Sequence, residues 1–249
     1  MRICLLFIGI LLILFPTNLV AGTIDPDTPD SKYIEYGEKF TNIVKIFCLD
    51  GKGISSGSAV VIGDHWILTA AHVVENCHSW SIEIDNKKYK ISKMIMHPKY
   101  KIDKFGYDDI ALGYIEENLC LNIYPDLYEE SDEVGKFCSM AGWGFSGDFN
   151  TGVKFYDKKR RGGSNFIDKT ERHTLVCSPS RPTQKPTELE YLICTGDSGG
   201  GLFIDGKLAG IHSSVMSAND KKPNSSYENE SCHTRVSLYA GWIKEVIER

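Results

Sequence analysis

The chain has 249 residues, a formal net charge of −5, 42% hydrophobic and 24% charged side chains. That length suits one large β domain or two small lobes around a shared cleft, and the composition excludes long disorder. The acidic balance excludes an electrostatic footprint for nucleic acid, so the basic run Lys158-Lys159-Arg160-Arg161 reads as a solvated loop.

In chain order, Met1-Arg2 precedes an apolar run over residues 3–15, then Pro16, polar residues and the small pair Ala21-Gly22. This is the pattern of a secretory signal peptide, residues 1–22, cut near Ala21 or Gly22. The run is short of the ~20 residues that span a bilayer, so the reading is a secreted, extracellular protein without a membrane partner. Residues 23–33, rich in Asp and Pro, are too polar for a core and read as a short propeptide or polar tail.

From Asn42 to Tyr114, short β-branched and aromatic runs alternate with turns, as in Ile43-Val44-Lys45-Ile46-Phe47, Ser58-Ala59-Val60-Val61-Ile62 and Lys93-Met94-Ile95-Met96. Strands at that spacing indicate an all-β barrel or sandwich. Trp66-Ile67-Leu68-Thr69-Ala70-Ala71-His72 ends an apolar run in a histidine, and Asp108-Asp109-Ile110-Ala111-Leu112 puts a carboxylate at the head of another. The second half repeats the strand pattern around a hairpin signal at Asp205-Gly206. A glycine-rich basic stretch over residues 145–174 reads as a long loop hanging over the cleft. After Ser237, taken as an N-cap, Leu238, Trp242, Ile243, Val246 and Ile247 recur at helical spacing.

Thr195-Gly196-Asp197-Ser198-Gly199-Gly200 reads as a serine nucleophile in a tight turn. A serine hydroxyl needs a base to take its proton and fixed donors to hold the oxyanion. The backbone N–H groups of Gly196 and Ser198 suit the second role. The order His72, Asp109, Ser198 is one of the known orders of a nucleophilic triad.

The segments Leu68-Thr69-Ala70-Ala71-His72, Asp109-Ile110-Ala111-Leu112, Ala141-Gly142-Trp143-Gly144 and Gly196-Asp197-Ser198-Gly199-Gly200 resemble the chymotrypsin/trypsin-like serine peptidases. The resemblance implies two Greek-key six-stranded β-barrels, residues 34–125 and 126–236, with the site between them and a C-terminal helix over 237–249. It implies His72 as base, Asp109 as its orienting acid and Ser198 as nucleophile, without metal or cofactor. Asp197 would be the oxyanion-loop acid, paired with a new amino group released by cleavage after Lys32 or Tyr33. Leu192, six positions before Ser198, stands where tryptic enzymes carry an aspartate. With Ser213 and Val215 at the rim, the pocket suits small or medium apolar side chains.

Seven cysteines follow the leader: Cys48, Cys77, Cys120, Cys138, Cys177, Cys194 and Cys232. An odd count in a secreted chain leaves at least one thiol over. The resemblance implies a bridge between Cys194 and Cys232. Asn224-Ser225-Ser226 and Asn229-Glu230-Ser231 are glycosylation sequons. The expected function is a secreted serine endopeptidase, non-tryptic and monomeric, with protein or peptide substrates and protein inhibitors as partners. The alternative is a catalytically inactive homologue acting as a binding or regulatory protein.

Overall fold

The computed structural model describes residues 22–104, 106–180, 187–217 and 222–249, so residues 1–21, on which the expected leader falls, lie outside the described residues. In the first half the β-branched runs pair antiparallel. The sheet runs Lys87–Ile91, Ser79–Ile84, Ile43–Leu49, Ile54–Gly63, Trp66–Thr69, Ala111–Tyr114 and Lys93–Met96. Its two edge segments are neighbours in sequence, separated only by Ser92, whose N–H donates to Tyr114 O over 2.9 Å. One bent strand sitting at both edges closes the sheet into a six-stranded barrel and removes its free edges.

The second half uses the same device. Its sheet runs Arg161–Phe166, Phe137–Gly142, Gly201–Ile204, Lys207–Ser217, Asn229–Arg235, Thr174–Cys177 and Lys169–Glu171. The edge segments are again one stretch of chain, bent at Ile167 and Asp168. At the expected hairpin, Asp205 and Gly206 take φ of 48° and 79°, the left-handed pair that matches the twist of the flanking strands.

Strand alternation divides the apolar residues among three cores. Val44, Ile46, Val61, Ile67 and Ile82 fill the first barrel, and Met140, Leu175, Leu202, Ile204 and Ala209 the second. The opposite faces, carrying Ile43, Val60, Leu68 and Leu112 from one barrel and Phe203, Leu208 and Ile211 from the other, meet between them. Burying such side chains contributes about 1.5–3 kcal/mol each, which fixes how the barrels face each other. The helix Ala240–Ile247 lays Ile243 on this seam. It begins after a 3-10 turn, Val236–Leu238, and Ser237 is not its cap: the Ser237 hydroxyl donates to Glu133 Oε1 over 2.8 Å.

Three readings are corrected here. Residues 23–33 are not a tail. Gly22–Ile24 is an inner strand of a four-stranded sheet, between Ser146–Asp148 and Tyr191–Leu192, and a helix follows at Asp30–Glu38. Gly22, the last residue of the expected leader, lies in that strand. Residues 145–174 are not an overhanging loop, since they supply Ser146–Asp148, Gly152–Phe155, Arg161–Phe166 and Lys169–Glu171.

Nor is the basic run wholly solvated. Lys158 and Lys159 are exposed, but Arg161 is fully buried and donates to both oxygens of Asp30 (2.6 and 2.8 Å) and of Asp157 (3.0 and 2.9 Å). Arg160 donates to the carbonyls of Gly37 and Ile43 over 2.8 and 2.9 Å. A buried guanidinium is tolerated only when paired. Here the pairing is what folds the polar N-terminal segment onto the second barrel.

Candidate functional site

His72 is placed by the register of two strands. Thr69 pairs with Ala111, so the chain running on to His72 passes the chain arriving from Asp109. The fully buried small residues Ala70 and Ala71 let the turn Ala71–Val74 pack closely. Asp109 then grips His72 at two points. Its Oδ1 accepts the backbone N–H over 2.9 Å, and its Oδ2 lies 2.8 Å from Nδ1. Ser213 donates its hydroxyl to the same Oδ2 over 2.6 Å. Asp108, the neighbouring acid, has φ of 55° and faces the other way, receiving the Tyr239 hydroxyl at 3.0 Å and lying 3.4 Å from His97 Nδ1.

The pair is electrostatically matched. Burial alone pushes the His72 imidazole down, but the hydrogen bond and charge of Asp109 outweigh it and leave its pKa raised. Burial pushes Asp109 up, yet the bonds from His72 and Ser213 hold it below the ordinary carboxylate range. The His72 side chain keeps 36% of its surface open, against 10% for Asp109, so only the imidazole faces an incoming reactant.

Ser198 reaches the same edge from the second barrel. Its carbonyl accepts the Ser58 N–H over 2.8 Å, and the Ser58 hydroxyl donates to Gly196 O over 3.1 Å. A methyl group on Gly57 would come within 3.0 Å of Val73, next to His72, and 3.1 Å of the Ser198 carbonyl. The three segments therefore converge on one strand. Gly199 has φ of 85°, and a side chain there would meet Ser58 O at 2.1 Å, so only glycine fits the turn. Around Ser198, the N–H of Asp197 donates to Cys194 O, that of Gly199 to His212 O and that of Gly200 to Asp197 O. Among the described residues the Gly196 and Ser198 N–H groups have no such acceptor.

Asp197 lies fully buried behind this turn. It accepts the Gly144 and Cys194 N–H groups over 2.8 and 2.9 Å and the Tyr191 hydroxyl over 3.2 Å. Burial nevertheless pushes its pKa up to about 6. Tyr191 was missed in the sequence, where nothing marks its hydroxyl as a partner of an acid in the next turn. Ile34, expected to bring an amino group to Asp197, lies inside the helix Asp30–Glu38. The chain that reaches Asp197's surroundings is Gly22, whose N–H donates to Phe145 O over 2.6 Å.

Beside Ser198 opens a cavity of about 320 Å³, walled by Val153, Ile193, Thr195, Ser214, Val215 and Asn224. Val215 lines this cavity, whereas the two residues expected beside it do not. Leu192 is fully buried, with its strand paired to Thr23, and the wall position falls to Ile193. Ser213 turns to Asp109 and lines a second cavity, also about 320 Å³, with His72, Tyr100, Lys101 and Lys104.

Cys194 and Cys232, the expected bridge, are free thiols in this structure, as are the other five described cysteines. Cys194 faces the Phe145 carbonyl, while Cys232 sits in the strand register opposite Val176. Of the sequons, Asn224 is exposed, but Asn229 is buried and its Oδ1 accepts the N–H groups of Asn224 and Ser226 at 3.0 Å each. Asn229 thus offers no accessible amide. Among the described residues no His/Cys/Asp/Glu cluster is arranged to hold a metal, and no helix is long and apolar enough to cross a membrane.

The trypsin family profile matches residues 48–243. Mouse kallikrein-8 is 28% identical over 211 residues, covering 76% of each chain. A CLIP domain-containing serine protease C9 of Anopheles gambiae is 28% identical over 225 residues, covering 76% of this chain and 59% of that longer one. Among solved structures, mouse neuropsin, a serine protease, superposes with a TM-score of 0.67 at 21% identity, covering 85% of this chain and 96% of the other. A structure titled HL collagenase gives 0.69 at 19% identity, covering 93% and 99%.

Proposed function

Because this chain belongs to the trypsin family, we propose that it is a secreted serine endopeptidase working through His72, Asp109 and Ser198. The observation that carries the reading is the two-point hold of Asp109 on His72, at 2.9 and 2.8 Å, beside a serine turn with two unengaged N–H groups.

In this mechanism His72 takes the Ser198 proton as the oxygen attacks the peptide carbonyl, then delivers it to the leaving amine. Asp109 fixes the imidazole with its proton on Nδ1, so that Nε2 is the free base, and stabilises the imidazolium that forms. The Gly196 and Ser198 N–H groups receive the oxyanion, each worth about 3–4 kcal/mol. Water, activated by the same His72, then releases the acyl group from Ser198. The cavity next to Ser198, walled by Val153, Ile193, Val215 and Lys222 and holding no carboxylate among the described residues, favours a small or medium apolar side chain before the cut bond and disfavours Lys or Arg.

The test is covalent labelling of the secreted protein by a fluorophosphonate probe, with Ser198→Ala and His72→Ala as controls. Labelling lost in both variants supports the peptidase. An unlabelled but folded wild type would leave the binding-homologue reading in its place.

A further inference from the structure

We propose that Lys101 and Lys104 select an acidic substrate: the cavity beside His72 takes an Asp or Glu side chain, carried by the second residue before the cut bond. The inference deepens the peptidase reading and rests on it for its cleavage arm.

The strand that borders the cavity decides which substrate residue reaches it. Lys207–Ser217 pairs with Gly201–Ile204 only as far as Ile211, and along its other edge with Asn229–Arg235 as far as Ser217. From Ser213 on, the first edge has no strand partner among the described residues, so an extended peptide can add there as a strand. Ser214 on this stretch lines both cavities, the one beside Ser198 and the one beside His72. Successive side chains of an extended chain point to opposite faces. A residue that fills the Ser198 cavity therefore turns its neighbour toward His72, Tyr100 and Ile102. The neighbour concerned is the preceding one, because the chain before the cut bond stays on Ser198 as the acyl group and has to be held until water attacks.

Charge names the occupant. Lys101 and Lys104 both line the cavity, and the Lys104 N–H donates to Lys101 O over 3.0 Å, which sets the two lysines on one tight turn. Their side chains are exposed, and among the described residues neither ammonium has an ion-pair partner. The acids in reach are engaged elsewhere or stand off the wall. Asp109 is closed by His72 and Ser213. Glu75 accepts the Tyr100 hydroxyl over 3.3 Å, Asp108 accepts that of Tyr239, and Asp103, exposed between the lysines, does not line the cavity. From the second barrel another cation packs on the wall: a methyl group on Gly106 would come within 3.1 Å of Arg172 Cδ. The cleft beside His72 is thus positive in a chain whose net charge is −5. A substrate carboxylate meets two ammonium groups there, whereas a lysine in the same place meets only like charge.

The test compares peptides that have Ala before the cut bond and Glu, Gln or Lys one residue further back. Rates are measured on the secreted protein, and binding on its Ser198→Ala variant by fluorescence anisotropy. The Glu peptide should exceed the Lys peptide about tenfold in kcat/KM, the scale of two exposed ion pairs, with Gln between them, and the gap should shrink as salt is raised. Lys101→Gln together with Lys104→Gln should close the gap. Lys101→Glu together with Lys104→Glu should invert it, which a turn that served only to shape the loop would not do. A Glu preference that both double variants retain, or one that appears only at another peptide position, overturns the proposal. If no peptide is cut but the Glu peptide binds more tightly and charge reversal inverts the order, the acidic subsite stands and the peptidase reading falls. If the peptides are cut without regard to charge, the peptidase stands and this proposal falls.

Discussion

The two barrels contribute to the candidate site in different ways. On the first barrel, His72 and Asp109 are a closed electrostatic unit: acid, base and the Ser213 hydroxyl satisfy one another within 2.6–2.9 Å. On the second, Asp197 is deeper and is held by neutral donors alone, so burial leaves its charge less well compensated. A pair set by neighbouring strands assembles whenever the barrel folds. A buried acid held only by neutral donors makes the turn beside it conditional on each of them.

The sharpest way to break the closed side is Asp109→Asn. An amide in place of the carboxylate no longer fixes the Nδ1 proton of His72, and peptide hydrolysis should fall about 10⁴-fold with the fold intact. Steady-state kinetics alongside circular dichroism would check both halves of that statement. On the conditional side, Arg161→Met leaves Asp157 and Asp30 without their buried cation. Stability should drop by about 3–5 kcal/mol, read from the urea midpoint. An unchanged midpoint would mean that the N-terminal segment is not held by this pair.

Tyr191→Phe is a smaller probe of the same side. It removes one donor from buried Asp197 at a cost of about 1–3 kcal/mol, and labelling of Ser198 should weaken while the His72–Asp109 pair is untouched.

The last probe is silent at neutral pH. His212 and His233, which meet at 2.8 Å between their Nδ1 atoms, are fully buried, and the second lies directly behind the first. Burial pushes His212 down to about 3 and His233 well below its ordinary value. Both stay neutral in the folded protein while the unfolded chain takes up protons below about pH 6.5. Their contribution is therefore fully present above pH 6.5 and lost as pH falls toward 3. Replacing both with apolar residues should flatten the decline in melting temperature over that window.

Much of this protein was legible in its sequence because the signals are local. Alternation gave the strands, Asp205-Gly206 the hairpin, and the small residues before His72 the tight turn that presents it. Asp109 was separable from Asp108 by its place directly before Ile110-Ala111-Leu112. Ser198 stood out through its glycines. These features depend on residues a few positions apart, where period and turn chemistry act directly.

Tertiary structure decided the rest, each time through a contact between distant segments. The polar stretch over residues 23–33 looked like a tail because its Asp30 pairs with Arg161, 131 positions further on. Leu192 gave way to Ile193 at the cavity because the strand Tyr191–Leu192 pairs with Gly22–Ile24. Sequence alone singled out the groups proposed to carry the chemistry. Which buried charges are paired, and by what, followed only from the folded chain, since burial sets the cost of a charge and only three-dimensional proximity can offset it.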